Sequence, residues 1–357
     1  MEEVIRQGIM EIADAPYVQA RQRLAIRKAH LALEYEGLSA DAVIGTIEQF
    51  TYTDQAEGKS DSISLKIDNI DRRWQNGWIP KPYDRLVPTL HFTGADGKES
   101  YFRCGEFYAD DFSITGGPLT VQIGAVSNPV QYGFSNTQRS KTWQNVTVGQ
   151  IAAEIASKYG LTVAFDASDS AAIESVEQSR ETDAAFLKQV CDEHGFKLKI
   201  YSNRLVIYEI SAYEDAAAVV ILHPEDVVSG WKWNTSAQGT YTGATLDYTK
   251  GNGDAGISVS VGGGDRILSL NKSCDSEAEA LKMACDEVND KNRELTTMSI
   301  TLKEPLFLSS TQVVALAGFG TAIDGRYFLR SVNMRMGGNG GLTVALQMYM
   351  IQQRIAS

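Results

Sequence analysis

The sequence predicts a mainly β chain, with two similar β-barrel domains related by duplication and a small α+β domain inserted between them. Three observations point there: strand blocks that occur twice in the same order, turn chemistry between alternating stretches, and a central segment whose apolar spacing turns helical. The first set of blocks reads Ser62-Ile63-Ser64-Leu65-Lys66, Val87 to Leu90, Gly105-Glu106-Phe107-Tyr108 and Leu119-Thr120-Val121. The second reads Ser299-Ile300-Thr301-Leu302-Lys303, Val313 to Leu316, Gly325-Arg326-Tyr327-Phe328 and Leu342-Thr343-Val344. Length differences between the sets fall where Gly, Pro, Asn and Asp cluster, and surface turns are where a β domain tolerates them. Strands draw on few residue types, so one match means little. Four matches in one order favour duplication.

At 357 residues the chain is too long for one ordinary core and suits two or three domains. Its hydrophobic share of 43% and charged share of 22% are those of a globular protein rather than a disordered one. A net charge of −12 argues against an exposed surface that grips nucleic acid, which needs Lys and Arg to displace phosphate counterions. It is compatible with a conduit that DNA passes without sticking. Cys104, Cys191, Cys274 and Cys285 form no CxxC pair and have no histidine spacing for zinc, and Cys274 and Cys285, which bracket a predicted helix, read as small reduced hydrophobes. Neither a secretory leader nor a run of ~20 apolar residues is visible, and no membrane anchor is expected.

Residues 1–21 read as an amphipathic lead-in, with Val4, Ile5, Ile9 and Ile12 at roughly helical spacing. The first barrel is assigned to 22–128, where Asp96-Gly97 and Thr115-Gly116-Gly117-Pro118 supply turns between alternating strands. The insert is assigned to 129–219. There Thr147-Val148-Gly149-Gln150 is a capping box, followed by Ile151, Ile155 and Tyr159 on one face and Gly160 as the stop. Phe186, Leu187, Val190 and Cys191 repeat the helical pattern up to Gly195, and a hairpin turns at Ser202-Asn203. The second barrel takes 220–357 with one helix, opened by a capping box at Ser276 to Glu279 and lined by Leu281, Cys285, Val288, Asn292 and Leu295.

Several suggestive motifs fail on their context. Gly251-Asn252-Gly253-Asp254-Ala255-Gly256 has the letters of a dinucleotide loop, but the alternating Ile257 to Val261 follows where a helix is required, so it reads as a hairpin tip. Asp192-Glu193-His194 lie too close in a helix to share a face, and His194 beside Gly195 complements the negative helix end. Asp110-Asp111 in a strand should point to opposite faces. No catalytic, cofactor or metal residue is assigned.

Several stretches resemble the late control protein D family, the baseplate hubs of contractile-tailed phages and related VgrG-type machines. They are Phe50-Thr51-Tyr52-Thr53-Asp54 with Gly58 to Leu65 and Trp74…Trp78-Ile79-Pro80; Gly105 to Asp111; Lys141 to Thr147 with Glu181 to Leu187; and Asp324-Gly325-Arg326-Tyr327-Phe328. The resemblance covers roughly residues 22–350. It implies two tail-tube-like barrels per chain and a homotrimer whose six barrels form a pseudo-sixfold ring between tail tube and spike. The chain ends after the second barrel, so a separate spike protein is implied. The other implied partners are a tube or tube-initiator protein, tape measure and wedge proteins, with DNA only as cargo, in a virion or tail-like particle assembled in the bacterial cytoplasm. Two rivals stay open, a cell-wall-binding module and a cell-wall hydrolase of a tail tip.

One segment invites an interface assignment. From about Asn69 to Arg85 the first copy is longer than the corresponding Glu304 to Thr311, and the excess carries Trp74, Trp78, Ile79, Pro80, Pro82 and Tyr83. A mere surface excursion would be polar, whereas exposed aromatics anchor interfaces. Trp74, Trp78, Ile79, Pro80 and Tyr83 are therefore expected at a protein–protein contact. The alternative is that both tryptophans fold back and plug their own barrel.

Overall fold

The computed structural model describes residues 28–93, 97–128, 133–167, 172–248, 256–272, 274 and 276–356. The first copy comprises β1 (Lys28–Tyr35), β2 (Leu38–Ser39), the short helix α1 (Asp41–Ile44), β3 (Ile47–Gln55), β4 (Ser62–Asp68), β5 (Arg85–Thr93), β6 (Glu99–Arg103), β7 (Phe107–Thr115) and β8 (Thr120–Val126). Alternation decides what each strand buries: in β4, Ile63, Leu65 and Ile67 face the core and Lys66 faces out. The predicted lead-in at residues 1–21 lies outside the described residues.

The middle segment has its own core. An antiparallel ribbon of β9 (Gln138–Val146) and β11 (Ile173–Thr182) stands beside a three-stranded sheet of β10 (Thr162–Asp166), β13 (Arg204–Tyr208) and β12 (Lys197–Tyr201). The helices α2 (Val148–Tyr159) and α3 (Asp183–Glu193) pack on them. Both halves of the Thr147–Gln150 capping box form, at 3.3 and 2.9 Å, and Gly160 closes α2 in the left-handed conformation. Trp143 stacks on Phe186 with ring centroids 4.8 Å apart.

The second copy follows through α4 (Ile210–Asp215), β14 (Ile221–Leu222), β15 (Lys232–Thr235), β16 (Gly243–Tyr248), β17 (Ile257–Gly262), β18 (Ile267–Leu270), α5 (Glu277–Asn292), β19 (Thr296–Leu302), β20 (Val313–Leu316), β21 (Gly325–Gly337) and β22 (Leu342–Met350). Ser276 caps α5, accepting the Glu279 N–H at 3.2 Å. Its buried stripe is Ala280, Ala284, Cys285 and Val288, with Leu281 at the flank. That stripe covers a separate sheet, β17-β16-β18, so this stretch is a small layer with its own core rather than part of a barrel wall. Gly251 to Ala255 of the glycine-rich stretch lie outside the described residues; the strands flanking it pair antiparallel, Tyr248 opposite Ile257.

The duplication extends to the pattern of strand pairing. The first copy runs β3-β4-β8-β7-β5, and the second runs β15-β19-β22-β21-β20. The register between β7 and β8 slips between Ala109 and Asp111, and that between β21 and β22 slips between Leu329 and Ser331. The spacing that carries Gly105–Tyr108 onto Gly325–Phe328 carries one bulge onto the other. A bulge inserts an unpaired residue and is a retained feature of a strand pair, not a product of composition. The ladder also corrects one alignment. Leu65 faces Ile123 while Ile300 faces Leu346, so Leu65 corresponds to Ile300, two residues from the match the letters suggest. Strand alternation hides such a slide because the same face stays buried.

The copies meet edge to edge. Beyond its bulge β21 pairs with β3, from Ser331 opposite Gln55 to Gly337 opposite Gln49, giving one 14-stranded sheet. A single apolar cluster crosses the joint, with Tyr52, Leu65 and Phe107 from one copy and Ile300, Leu329 and Met334 from the other.

Candidate protein interface

The loop between β4 and β5 is held by its own polar side chains. The buried Asn69 accepts the Trp74 N–H at 3.3 Å, Asp68 accepts the Ile70 N–H at 3.0 Å, and Asp71 accepts the Arg73 N–H at 3.1 Å. Such side-chain turns fix a loop without a ladder. Gly77 takes φ 122°, where a side chain would be strained. At the far end Asp84 accepts the Lys81 N–H at 2.7 Å and the Tyr35 hydroxyl, and the Tyr83 N–H reaches the Ala109 carbonyl at 2.7 Å. Burial and the Asp84 carboxylate hold the Tyr35 phenol well above its ordinary pKa.

The five expected interface residues divide. Trp74, in a one-turn 3-10 helix (Trp74–Asn76), is 7% exposed and packs on Phe112 of β7 with ring centroids 6.2 Å apart. It belongs to the apolar core cluster, and Pro80 is buried too, so neither offers a free surface in the single chain. Trp78, Ile79 and Tyr83 are 40%, 56% and 42% exposed. Trp78 stands edge-on to Trp74 at 5.9 Å under the Arg73 guanidinium. Leu38 and Ile70 are exposed as well, and Leu38, Trp78 and Ile79 together line a cleft of about 580 Å³. Exposed apolar side chains gathered at one cleft make this loop the candidate contact surface.

A second feature carries no signal in the sequence. Lys199 of β12 reaches into the junction of the middle segment with both copies. Its Nζ donates to the Asp54 carboxylate, to the Gln55 carbonyl at 2.6 Å, to Asp61 at 3.1 Å and to the Ser310 hydroxyl at 3.1 Å. Asp54 also accepts the Ser310 N–H at 2.8 Å. Both carboxylates are buried. Burial pushes Asp61 up to about 7 against the opposing pull of Lys199.

The two acidic stretches differ. His194 takes the C-cap of α3, and Asp192 pairs with Lys197 at 3.3 Å. Asp110 and Asp111 do not simply alternate: the bulge brings both beside Gly124, and burial followed by the Asp111 charge raises the pKa of Asp110. Among the described residues no group of His, Cys, Asp and Glu could hold a metal ion, and no helix is long and apolar enough to cross a membrane.

A duplicated, bulged five-strand ladder with an α+β segment inserted between the copies defines the class: this is the fold of phage tail proteins and injection-machine hubs. It is shared with the 43 kDa tail protein of prophage MuSo2 from Shewanella oneidensis (TM-score 0.68, 16% identity, 90% of this chain and 98% of that one). It is shared as well with a tail protein from Neisseria meningitidis MC58 (TM-score 0.69, 13% identity, 90% and 96%) and with the E. coli c3393 protein, a component of the type VI secretion system (TM-score 0.57, 13% identity, 91% and 78%). In sequence the chain is similar to the probable baseplate hub protein of Escherichia phage 186, 24% identical over 204 residues, which is 56% of this chain and 50% of that protein. It is similar too to the probable baseplate hub protein of Escherichia phage P2, 26% identical over 157 residues, 44% of this chain and 38% of that one. The matches thus span half or less of these curated relatives. No family model matches. The resemblance to baseplate hub proteins read from the motifs is borne out by these relatives.

Proposed function

We propose that the chain is the structural hub of a contractile tail or tail-like injection particle: three copies form a ring of six similar barrels that joins the tail tube to a separate spike. The observation that carries this reading is the duplicated ladder whose copies join edge to edge in one sheet. Six like barrels continue a sixfold tube, while three identical chains seat a threefold spike. The curated hub relatives support it. The role is mechanical, not catalytic, and DNA is cargo that an acidic chain of net charge −12 lets pass. The exposed Trp78, Ile79 and Tyr83 are contacts within the assembly. Mass photometry of the full chain, alone and with its spike partner, tests the reading. Trimers are expected, and a persistent monomer in the presence of spike contradicts it.

A further inference from the structure

We propose that the ring closes by strand pairing between chains: β7 beyond its bulge, residues 111–115, adds to β15, residues 232–235, of the next copy. This rests on the ring reading above and names the surface that would make it.

The joint inside the chain uses two unlike edges, that of β21 beyond its bulge and that of β3. Each edge has a twin in the duplicated ladder, β7 beyond its bulge for β21 and β15 for β3. Among the described residues both twins lack a partner on that side: β7 pairs with β5 only at Phe107 and Tyr108 and otherwise with β8, and β15 pairs only with β19. Every chain therefore holds one completed joint and the two halves of a second. A joint between unlike edges is head-to-tail, so its repetition makes a closed ring or a filament. Open edges of this kind are templates for pairing with another chain.

The ladder also sets the register. Thr51 faces Ser64 and Lys232 faces Ser299, which places Tyr52 and Thr53 on Trp233 and Asn234. In the completed joint Asn333 faces Thr53 and donates its Nδ2 to Oγ1 at 2.8 Å, and Met334 faces Tyr52. Carried to the open edges, Ser113 faces Asn234 and Ile114 faces Trp233. The amide again meets a hydroxyl, with the roles exchanged, and an aliphatic chain again meets an aromatic. Ser113 and Asn234 are exposed in the single chain.

A second contact runs beside the first. In the second copy the β19–β20 connection puts Phe307 against the first copy, stacked on Phe102 at 5.5 Å and edge-on to Phe92 at 6.4 Å. The equivalent connection of the first copy carries Trp78, Ile79 and Tyr83. It lies beside the open β7 edge, tied there by the Tyr83–Ala109 hydrogen bond and by Trp74 on Phe112. These apolar side chains would meet the second copy of the neighbouring chain.

The test is a full-length Ser113→Cys, Asn234→Cys variant, oxidised and run without reductant, with each single variant and the wild type as blanks. The native cysteines are all buried, so the blanks should stay monomeric on the gel. Directly facing cross-strand positions lie within disulfide reach. The expected result is a covalent ladder that ends at trimer in the double variant alone. Trimers by mass photometry without that cross-link overturn the edge pairing and leave the ring reading intact. Cross-linking in a Ser113→Cys, Lys232→Cys control instead overturns the register. A chain monomeric at every concentration, with no cross-link, overturns ring and pairing together.

Discussion

Lys199→Met removes the ammonium that Asp54 and Asp61 share while keeping most of the apolar stem. Asp54 and Asp61 then remain buried, at 3% and 0% exposure, having lost the ammonium that each accepted from. Breaking one partner of a buried ion pair costs about 3–5 kcal/mol, because a charge is left without compensation. The loss depends on pH, and its sign follows from Asp61. That carboxyl titrates at about 7 in the folded chain, above its unfolded value, so the folded state holds a proton that the unfolded state releases. Its contribution to stability is full below the unfolded pKa and declines as pH rises through about 7. Without Lys199 the folded pKa climbs further and the decline continues to higher pH. The variant should therefore lose more stability relative to wild type at pH 8 than at pH 5. Urea unfolding at the two pH values, followed by a probe in the middle segment, reads the difference. Lys199→Arg should retain most of the stability. The triple variant Asp54→Asn, Asp61→Asn, Lys199→Met should recover much of the loss, since a neutral cluster needs no counterion. A loss under ~1 kcal/mol at pH 8, or one that does not change with pH, would refute the reasoning.

Three further outcomes are expected. Trp74→Ala should destabilise the isolated chain by about 3–5 kcal/mol in thermal melts, the cost of emptying a large aromatic site in a core; Trp78→Ala with Ile79→Ala should leave the melt nearly unchanged and weaken trimer formation. Glu214 accepts from Arg293 at 2.7 Å, Tyr349 at 2.7 Å and Arg354 at 3.2 Å in a buried cluster, so Glu214→Ala should cost roughly 3 kcal/mol or more by denaturant midpoint. Its failure to destabilise would mean the cluster is solvated in solution. The hydrogen bond from Arg85 lowers the pKa of Glu106, which also accepts from Asn203 at 2.7 Å, so the contact between the first copy and the β12–β13 hairpin should persist above the unfolded glutamate pKa and loosen as pH falls through the lower folded value. Hydrogen exchange at Ser202 and Asn203 checks this, and Glu106→Gln should flatten the response.

How much the sequence could disclose varied with the range of the interaction. Local signals carried well: the capping box at Thr147, the N-cap at Ser276, the left-handed stop at Gly160 and the Ser202-Asn203 turn all sit where short-range chemistry puts them. The duplication was legible because strand alternation and turn residues repeat in order. The two-residue slide of the β4 and β19 blocks was not, since both registers bury the same face. Nor was the bulge at Asp110, because an extra residue in a strand leaves no compositional trace. The interface loop was half legible. Composition marked it as apolar, but only the three-dimensional path separates Trp74, turned onto Phe112, from Trp78, turned outward. Lys199 was invisible. It alternates with Leu198 and Ile200 as an outward-facing strand lysine would, and its partners lie at Asp54, Asp61 and Ser310, far away in the chain.

The most direct test of the ring is an averaged electron-microscope image of the purified assembly viewed down its axis, processed without imposed symmetry. Six lobes of similar size around a central channel, with only threefold differences between alternate lobes, are expected. A ring of three lobes, an even-numbered dimer-based particle or an open filament would contradict it.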